Sequence, residues 1–175
     1  MTDTGTWSTR PETDADRAAV HAVNVAAFPT PAEADLVDAL RADEDAWLDG
    51  LSYVAEAPDG TVAAHALITR CTVDGAPAAA LAPVAVRPQD QRTGAGSAVV
   101  RAVLEAARAR GERIVLVLGH PEYYPRFGFV PASTYGIRPG FDVPDEAMMA
   151  LILDGGPDSG QVPRGTITYP AAFGV

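Results

Sequence analysis

Apolar and polar positions follow two periods along this chain, and the switches between them mark out its elements. After a polar stretch over residues 1–10, expected to be a flexible leader, Thr13-Asp14-Ala15-Asp16 offers side-chain oxygens for a helix start. Ala19, Val23, Ala26 and Ala27 follow at helical spacing, with Phe28 at the end. Thr30-Pro31-Ala32-Glu33 restarts the pattern as a capping box with proline at the first helical position, and Leu36, Val37 and Leu40 form the stripe. The period then shortens to that of strands. Leu51 to Ala57 and Thr61 to Val73 read as strands joined at Asp59-Gly60, and Asp74-Gly75 turns the chain before a strand from Leu81 to Val86. From Gly94 to Arg110 the spacing is helical again, with Val99, Val100, Val103, Leu104 and Ala107 on one side and Gly111 placed to end it. Ile114 to Leu118 is apolar throughout, as in a strand covered on both faces, and Met148 to Leu153 and Thr166 to Tyr169 are late strands. Strand, helix and strand in succession predict a parallel pair. The whole predicts one α/β domain over residues 1–175, with a central twisted mixed sheet and flanking helices.

Between that strand and helix lies Arg87-Pro88-Gln89-Asp90-Gln91-Arg92-Thr93-Gly94-Ala95-Gly96-Ser97. Glycines without Cβ let a backbone close on a ligand, and the first N–H groups of a helix, at the positive end of its dipole, favour an anion. The segment therefore reads as a seat for a pyrophosphate. A P-loop needs Lys and then Ser or Thr after its last glycine, whereas Gly96 is followed by Ser97-Ala98 and the chain has no lysine. A dinucleotide fingerprint needs a third glycine where Val99 stands.

Composition narrows the partners. A formal charge of -10 argues against nucleic-acid and anionic-membrane binding, which need clustered cations. The single cysteine, Cys71, excludes an internal disulfide and a cysteine-cluster metal site; in a strand without an adjacent base it reads as a packing residue. No basic, apolar signal segment opens the chain and no apolar run nears the ~20 residues of a membrane span, so a cytoplasmic protein is expected.

Gln91-Arg92-Thr93-Gly94-Ala95-Gly96 resembles the Gln/Arg-x-x-Gly-x-Gly/Ala signature of the GCN5-related N-acetyltransferases. Tyr124-Pro125-Arg126-Phe127-Gly128-Phe129 matches their Tyr-x-x-x-Gly-Phe element, and Leu118-Gly119-His120-Pro121-Glu122-Tyr123-Tyr124 is similar to the YhbS-like branch. The likeness runs from about Thr30 to the end; many relatives have Gly-Lys-Gly-Ile-Gly where this chain has Arg92-Thr93-Gly94-Ala95-Gly96, a change that leaves backbone donors in place. The resemblance implies acetyl-coenzyme A as co-substrate, no metal, and a pyrophosphate loop at Gln91, Arg92, Thr93, Gly94, Ala95, Gly96 and Ser97. It also implies main-chain pairing of the pantetheine arm with Val84, Ala85 and Val86, where the fourth and fifth strands splay apart, and Tyr124 as proton donor to the leaving thiolate. A homodimer is a common assembly in such proteins.

Amine acetylation also needs a base, since an alkylammonium with pKa ~10 is protonated at neutral pH. The candidates are Glu33, His65, His120 and Glu122. Each has an ordinary alternative: Glu33 as the return partner of its capping box, His65 as a satisfied strand histidine, and His120 and Glu122 as caps of a short helix. Arg126 steers the cofactor or pairs with a carboxylate. The acceptor amine's pocket, implied to lie between the first helices and the late strands, neighbours Asp35, Asp38, Asp43, Glu44 and Asp45, which a solvated helix face explains equally well. Two other functions stand beside the transferase. One is a catalytically inactive acyl-coenzyme A-binding sensor or partner module, which would not need Tyr124; the other is unrelated nucleotide binding at Gly94-Gly96.

Overall fold

The computed structural model describes residues 7–153 and 162–175. Strand β1 (Ser8–Pro11) precedes helices α1 (Arg17–Ala27) and α2 (Ala32–Arg41). Strands β2 (Trp47–Glu56), β3 (Val62–Val73) and β4 (Ala76–Val86) lead to helix α3 (Ala95–Arg110) and strand β5 (Ile114–Leu118). The short strands β6 (Val130–Pro131), β7 (Ile137–Arg138), β8 (Met148–Ile152) and β9 (Gly165–Thr168) complete the series. They form one mixed sheet in the order β1-β2-β3-β4-β5-β8-β6, with β9 beside the end of β3 and β7 beside β9. β4 and β5 are the parallel pair expected of a strand-helix-strand unit.

Local chemistry explains the turns. Asp59 accepts a hydrogen bond from the Thr61 N–H at 2.9 Å, and Gly60 takes φ +84°. Asp74 (φ 45°) and Gly75 (φ 83°) form the tight turn between Val73 and Ala76, with both central residues left-handed as a two-residue hairpin prefers. α3 ends at Gly111, whose φ of 95° is the left-handed C-cap conformation.

β3 alternates between two cores. Ala64, Ala66 and Ile68 face Val99, Val103 and Ala107 of α3, whereas Leu67 joins Val54 and Ala85 under Val20, Val23, Val37 and Leu40 of α1 and α2. Among the described residues no helix is long and apolar enough to cross a membrane.

Several boundaries differ from the sequence expectation. Ser8–Pro11, inside the expected leader, pairs with β2 from Ser8↔Glu56 to Pro11↔Tyr53, and Arg10 bonds Asp16 and Glu56; residues 1–6 lie outside the described residues. A polar edge strand held by backbone pairing and ion pairs leaves no hydropathy pattern. β2 starts at Trp47 because Asp49-Gly50, which reads as a turn, lies within a register irregularity of the strand, with Gly50 at φ 84°. β4 starts at Ala76 because burial and pairing override the weak strand propensity of its alanines. In α1 the buried face is Val20, Val23 and Asn24 while Ala26 is exposed, and α1 follows a short turn that Thr13 and Asp16 cap reciprocally.

Candidate active site

The parallel pairing of β4 with β5 runs only through Ala79↔Val115 and Ala80↔Leu116. Beyond it β4 stays with β3, at Ala66↔Val84, His65↔Ala85 and Ala64↔Val86, while β5 ends at Leu118. Between Ile68↔Leu81 and Ala66↔Val84 the β4 side carries one residue more than β3, a bulge that contains Pro83. Pro83 has no N–H to offer a neighbour. The strands thus part at the bulge, and two cavities open there, of about 830 and 440 Å³. Phe28, Val84, His120 and Tyr124 line both.

The larger cavity has the loop as its floor. Gln91, Arg92, Gly94, Gly96 and Ser97 line it, with Val84 and Val86 on the strand side. The chain enters α3 through two left-handed residues, Arg92 (φ 63°) and Gly94 (φ 92°), which brings the unpartnered N–H groups of the first helical turn to this end of the cavity. Gly96 is closely packed: a Cβ there would stand 3.1 Å from Val86 Cγ2 and 3.4 Å from the Tyr123 hydroxyl, which itself lies 3.1 Å from Ser97 Oγ. Three members of the expected set do not present side chains here. Ala85 packs under α1, Ala95 is fully buried in the first turn of α3, and Thr93 gives its hydroxyl to the Asp90 carbonyl while its own carbonyl accepts from Trp7 Nε1 at 3.1 Å. Any contact they make with a ligand is through the backbone.

Charge is distributed unevenly around this cavity. The ion pairs of the described residues use Arg10, Arg17, Arg41, Arg70, Arg87, Arg108 and Arg110. Of the six arginines with no carboxylate partner among the described residues, Arg92, Arg101 and Arg126 line the larger cavity, while Arg113, Arg138 and Arg164 lie elsewhere. Arg126 stacks over the Tyr123 ring at 4.2 Å and donates to the Tyr123 carbonyl instead of forming an ion pair, and Arg101 stands over Phe127 at 5.1 Å. A chain of charge -10 therefore collects three free cations at one mouth. Sequence reasoning missed Arg101, although its place one turn after Ser97 puts it on the loop side of α3.

Tyr124 closes the junction of the cavities. It is buried at 9 % exposure, edge-on to Tyr123 and Phe129 at ring distances of 5.1 and 5.8 Å, and burial pushes its phenol up to about 12. Its ring lies on Gly119, where a Cβ would approach Tyr124 Cε2 to 2.4 Å. Gly119, another residue missed in the sequence, thus makes room for Tyr124; the signal was its place directly after the buried strand and ahead of the tyrosine element.

The smaller cavity lies between α2, the bulge and the C-terminal residues, and its wall is apolar and aromatic, including Leu36, Leu81, Phe141, Tyr169 and Phe173. The acidic cluster is elsewhere: Asp35 and Asp38 are exposed, Asp38 lies 3.1 Å from His21 Nδ1, and none of Asp35, Asp38, Asp43, Glu44 and Asp45 lines the cavity.

The expected capping box does not form. Pro31 is the N-cap of α2, and Thr30 Oγ1 accepts from the Ala32 N–H at 3.3 Å, without a return bond from Glu33. Glu33 instead lines the smaller cavity with its Oε2 buried and lacking a hydrogen-bond partner.

The other base candidates separate clearly. His65 is fully buried, 2.8 Å from Ser52 Oγ and 3.1 Å from Asn24 Nδ2, and burial pushes its pKa down to about 3. Asn24 Nδ2 also donates to the Val20 carbonyl at 2.9 Å, so His65 Nδ1 is the acceptor and Nε2–H the donor of a neutral ring sealed under α1. It cannot reach either cavity. His120 is exposed at the rim of both, 3.7 Å from Glu122, which lines neither. Cys71 is buried and its thiol is pushed up to about 12 by desolvation, in keeping with a packing role.

The chain matches the acetyltransferase (GNAT) family over residues 17–129. It is 38 % identical over 136 residues to the uncharacterized N-acetyltransferase YjhQ of Escherichia coli K12, covering 75 % of this chain and 74 % of that protein. Among solved structures it resembles the Escherichia coli GNAT family N-acetyltransferase YhbS in complex with CoA (TM-score 0.88, 26 % identity, 97 % of this chain and 93 % of that one). It also resembles a GNAT family acetyltransferase from Brucella melitensis in complex with acetyl-CoA (TM-score 0.75, 32 % identity, 95 % and 97 % covered). Through the matched loop, the parted strands and the tyrosine at their junction, this chain belongs to the acetyltransferase (GNAT) family.

Proposed function

We propose that residues 1–175 act as one cytoplasmic N-acetyltransferase domain that transfers the acetyl group of acetyl-CoA directly to a primary amine, without a metal. The observation that carries this reading is the meeting of two cavities of opposite character at one buried phenol, Tyr124. The larger suits a pyrophosphate-bearing cofactor: first-turn N–H groups of α3, a closely packed glycine at the floor, and the guanidinium groups of Arg92, Arg101 and Arg126. Val84 and Val86 flank the cavity along an edge of β4 that β5 has left, so their backbone is available to an extended amide chain. The CoA and acetyl-CoA complexes of the two similar structures support the same ligand.

Acetyl-CoA, when bound, supplies the thioester carbonyl. In the smaller cavity Glu33 is the base: its unpartnered Oε2 takes a proton from the incoming ammonium, directly or through water, so that the amine is free to attack. The new C–N bond forms as the C–S bond breaks. Tyr124, kept neutral by burial, provides the proton that makes the leaving sulfur a thiol, and the second proton, lost from nitrogen as the amide forms, restores the phenolate to a phenol; Glu33 returns its proton to solvent. The test is thermal unfolding with acetyl-CoA, CoA, ATP or NAD, followed by thiol release with amines. A ligand at 100 times its Kd adds about 2.7 kcal/mol of stability. Stabilisation by CoA compounds alone, with amine-dependent thiol release, is expected; stabilisation without turnover would leave a binding module, and stabilisation by ATP or NAD alone would overturn the assignment.

A further inference from the structure

The smaller cavity carries information about the amine itself, and the inference rests on the acetyltransferase reading of the site. Its volume of about 440 Å³ falls within the range of small-molecule pockets. Leu36, Phe141 and Phe173 are only half-buried, so their apolar carbon is covered when a ligand enters. Tyr169 belongs to the same wall but offers only its ring, because its hydroxyl points into the core toward Met148 Sδ at 3.7 Å. Phe141, Tyr169 and Phe173 form a continuous aromatic row, with ring distances of 6.1 and 5.1 Å. Against this stand few polar side chains among the described residues: Glu33, whose buried Oε2 has no partner among them, Tyr124 with its hydroxyl, and His120 at the rim.

No guanidinium lines the cavity, so the carboxylate of an amino acid would find no cation there. The hydroxyls or extra ammonium groups of an aminoglycoside or a polyamine would be desolvated without partners, and a buried unpaired polar group costs more than apolar contact returns. One ammonium and an apolar body, by contrast, satisfy every surface present. We propose that the acceptor is a primary amine on an apolar body, an aryl-alkyl or alkyl amine, with its nitrogen at Glu33 and its body against the Phe141-Tyr169-Phe173 row.

The experiment compares 2-phenylethylamine and hexylamine with spermidine, kanamycin and lysine. It uses thiol release at saturating acetyl-CoA for turnover and calorimetry on the CoA-loaded protein for binding. The apolar amines should exceed the others in kcat/KM by at least about tenfold. Phe141→Asp should raise KM for 2-phenylethylamine by about tenfold and leave the affinity for acetyl-CoA unchanged, its melting temperature serving as the check on folding. Preference for a polar amine, failure of the CoA-loaded protein to bind or use either apolar amine, or an unchanged KM in a folded Phe141→Asp would overturn this inference alone. Absence of any stabilisation by acetyl-CoA would instead overturn the reading beneath it.

Discussion

The two cavities share Phe28, Val84, His120 and Tyr124 yet are built by different means. The larger relies on backbone: a loop with two left-handed residues, the first turn of α3 and a strand edge, supplemented by three unpaired arginines. The smaller relies on side chains, an aromatic row and one carboxylate with no bond of its own. A backbone seat requires a short motif with particular glycines, because its donors are main-chain groups common to every residue. A side-chain pocket requires no motif, because residues 28, 36, 141, 169 and 173 meet only through the fold. The first kind of site recognises what is common to a reaction, and the second what is particular to one substrate.

Substitutions of the proposed base in the smaller cavity and of the proposed acid at the junction should break the comparison most sharply, since they slow chemistry while both cavities stay formed. Glu33→Gln and Tyr124→Phe are each expected to lower kcat by about 10² to 10⁴ while the acetyl-CoA Kd is unchanged, as titration calorimetry beside steady-state rates would read. Because burial raises the Tyr124 phenol to about 12, turnover should show no alkaline decline from this group until pH approaches that value. Gly119→Ala should reproduce the loss seen in Tyr124→Phe by displacing the ring that now rests on the glycine. A Gly119→Ala enzyme of full activity would separate the tyrosine's position from its role.

Next comes Gly96→Val, which places a branched side chain against Val86 and Tyr123 at the cavity floor. An overpacking cost of about 1–3 kcal/mol in the liganded site corresponds to roughly 5- to 150-fold in Kd for acetyl-CoA, read as a lost ligand-induced rise in melting temperature. Amine specificity should persist in whatever turnover remains. Arg101→Ala should do less, about fivefold in acetyl-CoA Kd, because an exposed charge interaction contributes at most about 1 kcal/mol. The difference between wild type and variant should shrink as salt is raised. An unchanged affinity at low salt would remove Arg101 from the cofactor site.

How far each region could be read beforehand follows from the same contrast. The helix α3, the strand β5 and the turns at Asp59-Gly60 and Asp74-Gly75 were legible because local pattern and tertiary need agree there. The loop over 91–97 was legible as a glycine-punctuated entry into α3, and the structure shows Arg92 and Gly94 left-handed there. β1 was hidden, since its polar residues are held by Arg10, Asp16 and Glu56 from three separate segments. Glu33 illustrates the opposite error: Thr30-Pro31-Ala32-Glu33 has the letters of a capping box, but Pro31 takes the N-cap and the carboxylate goes to the cavity. The aromatic row was not legible as a row, because Phe141 is distant in sequence and joins Phe173 only through the Tyr169 ring.

The smallest effect on the cleft is expected from beneath it. Asn24, His65 and Ser52 tie α1 to β3 and β2, and α1 carries Phe28 at its end, on the wall of both cavities. In the unfolded chain the His65 ring binds a proton near its ordinary 6.5; folded, it does so only near 3. Between these values the unfolded state holds more protons, so this contribution to stability is complete above about 6.5 and is lost as pH falls. One proton corresponds to about 1.4 kcal/mol per pH unit. Asp16, whose carboxyl is held below its usual range chiefly by its hydrogen bond to Arg10, adds its own loss only as pH falls through the ordinary carboxylate range and below. Urea unfolding from pH 7 to 5 should therefore show a decline of about that slope, which His65→Gln removes. Above pH 6.5 the His65→Gln protein, where it folds, should shift acetyl-CoA and amine parameters together or not at all, because α1 serves both walls. A change confined to one ligand would mean that α1 supports only one half of the cleft.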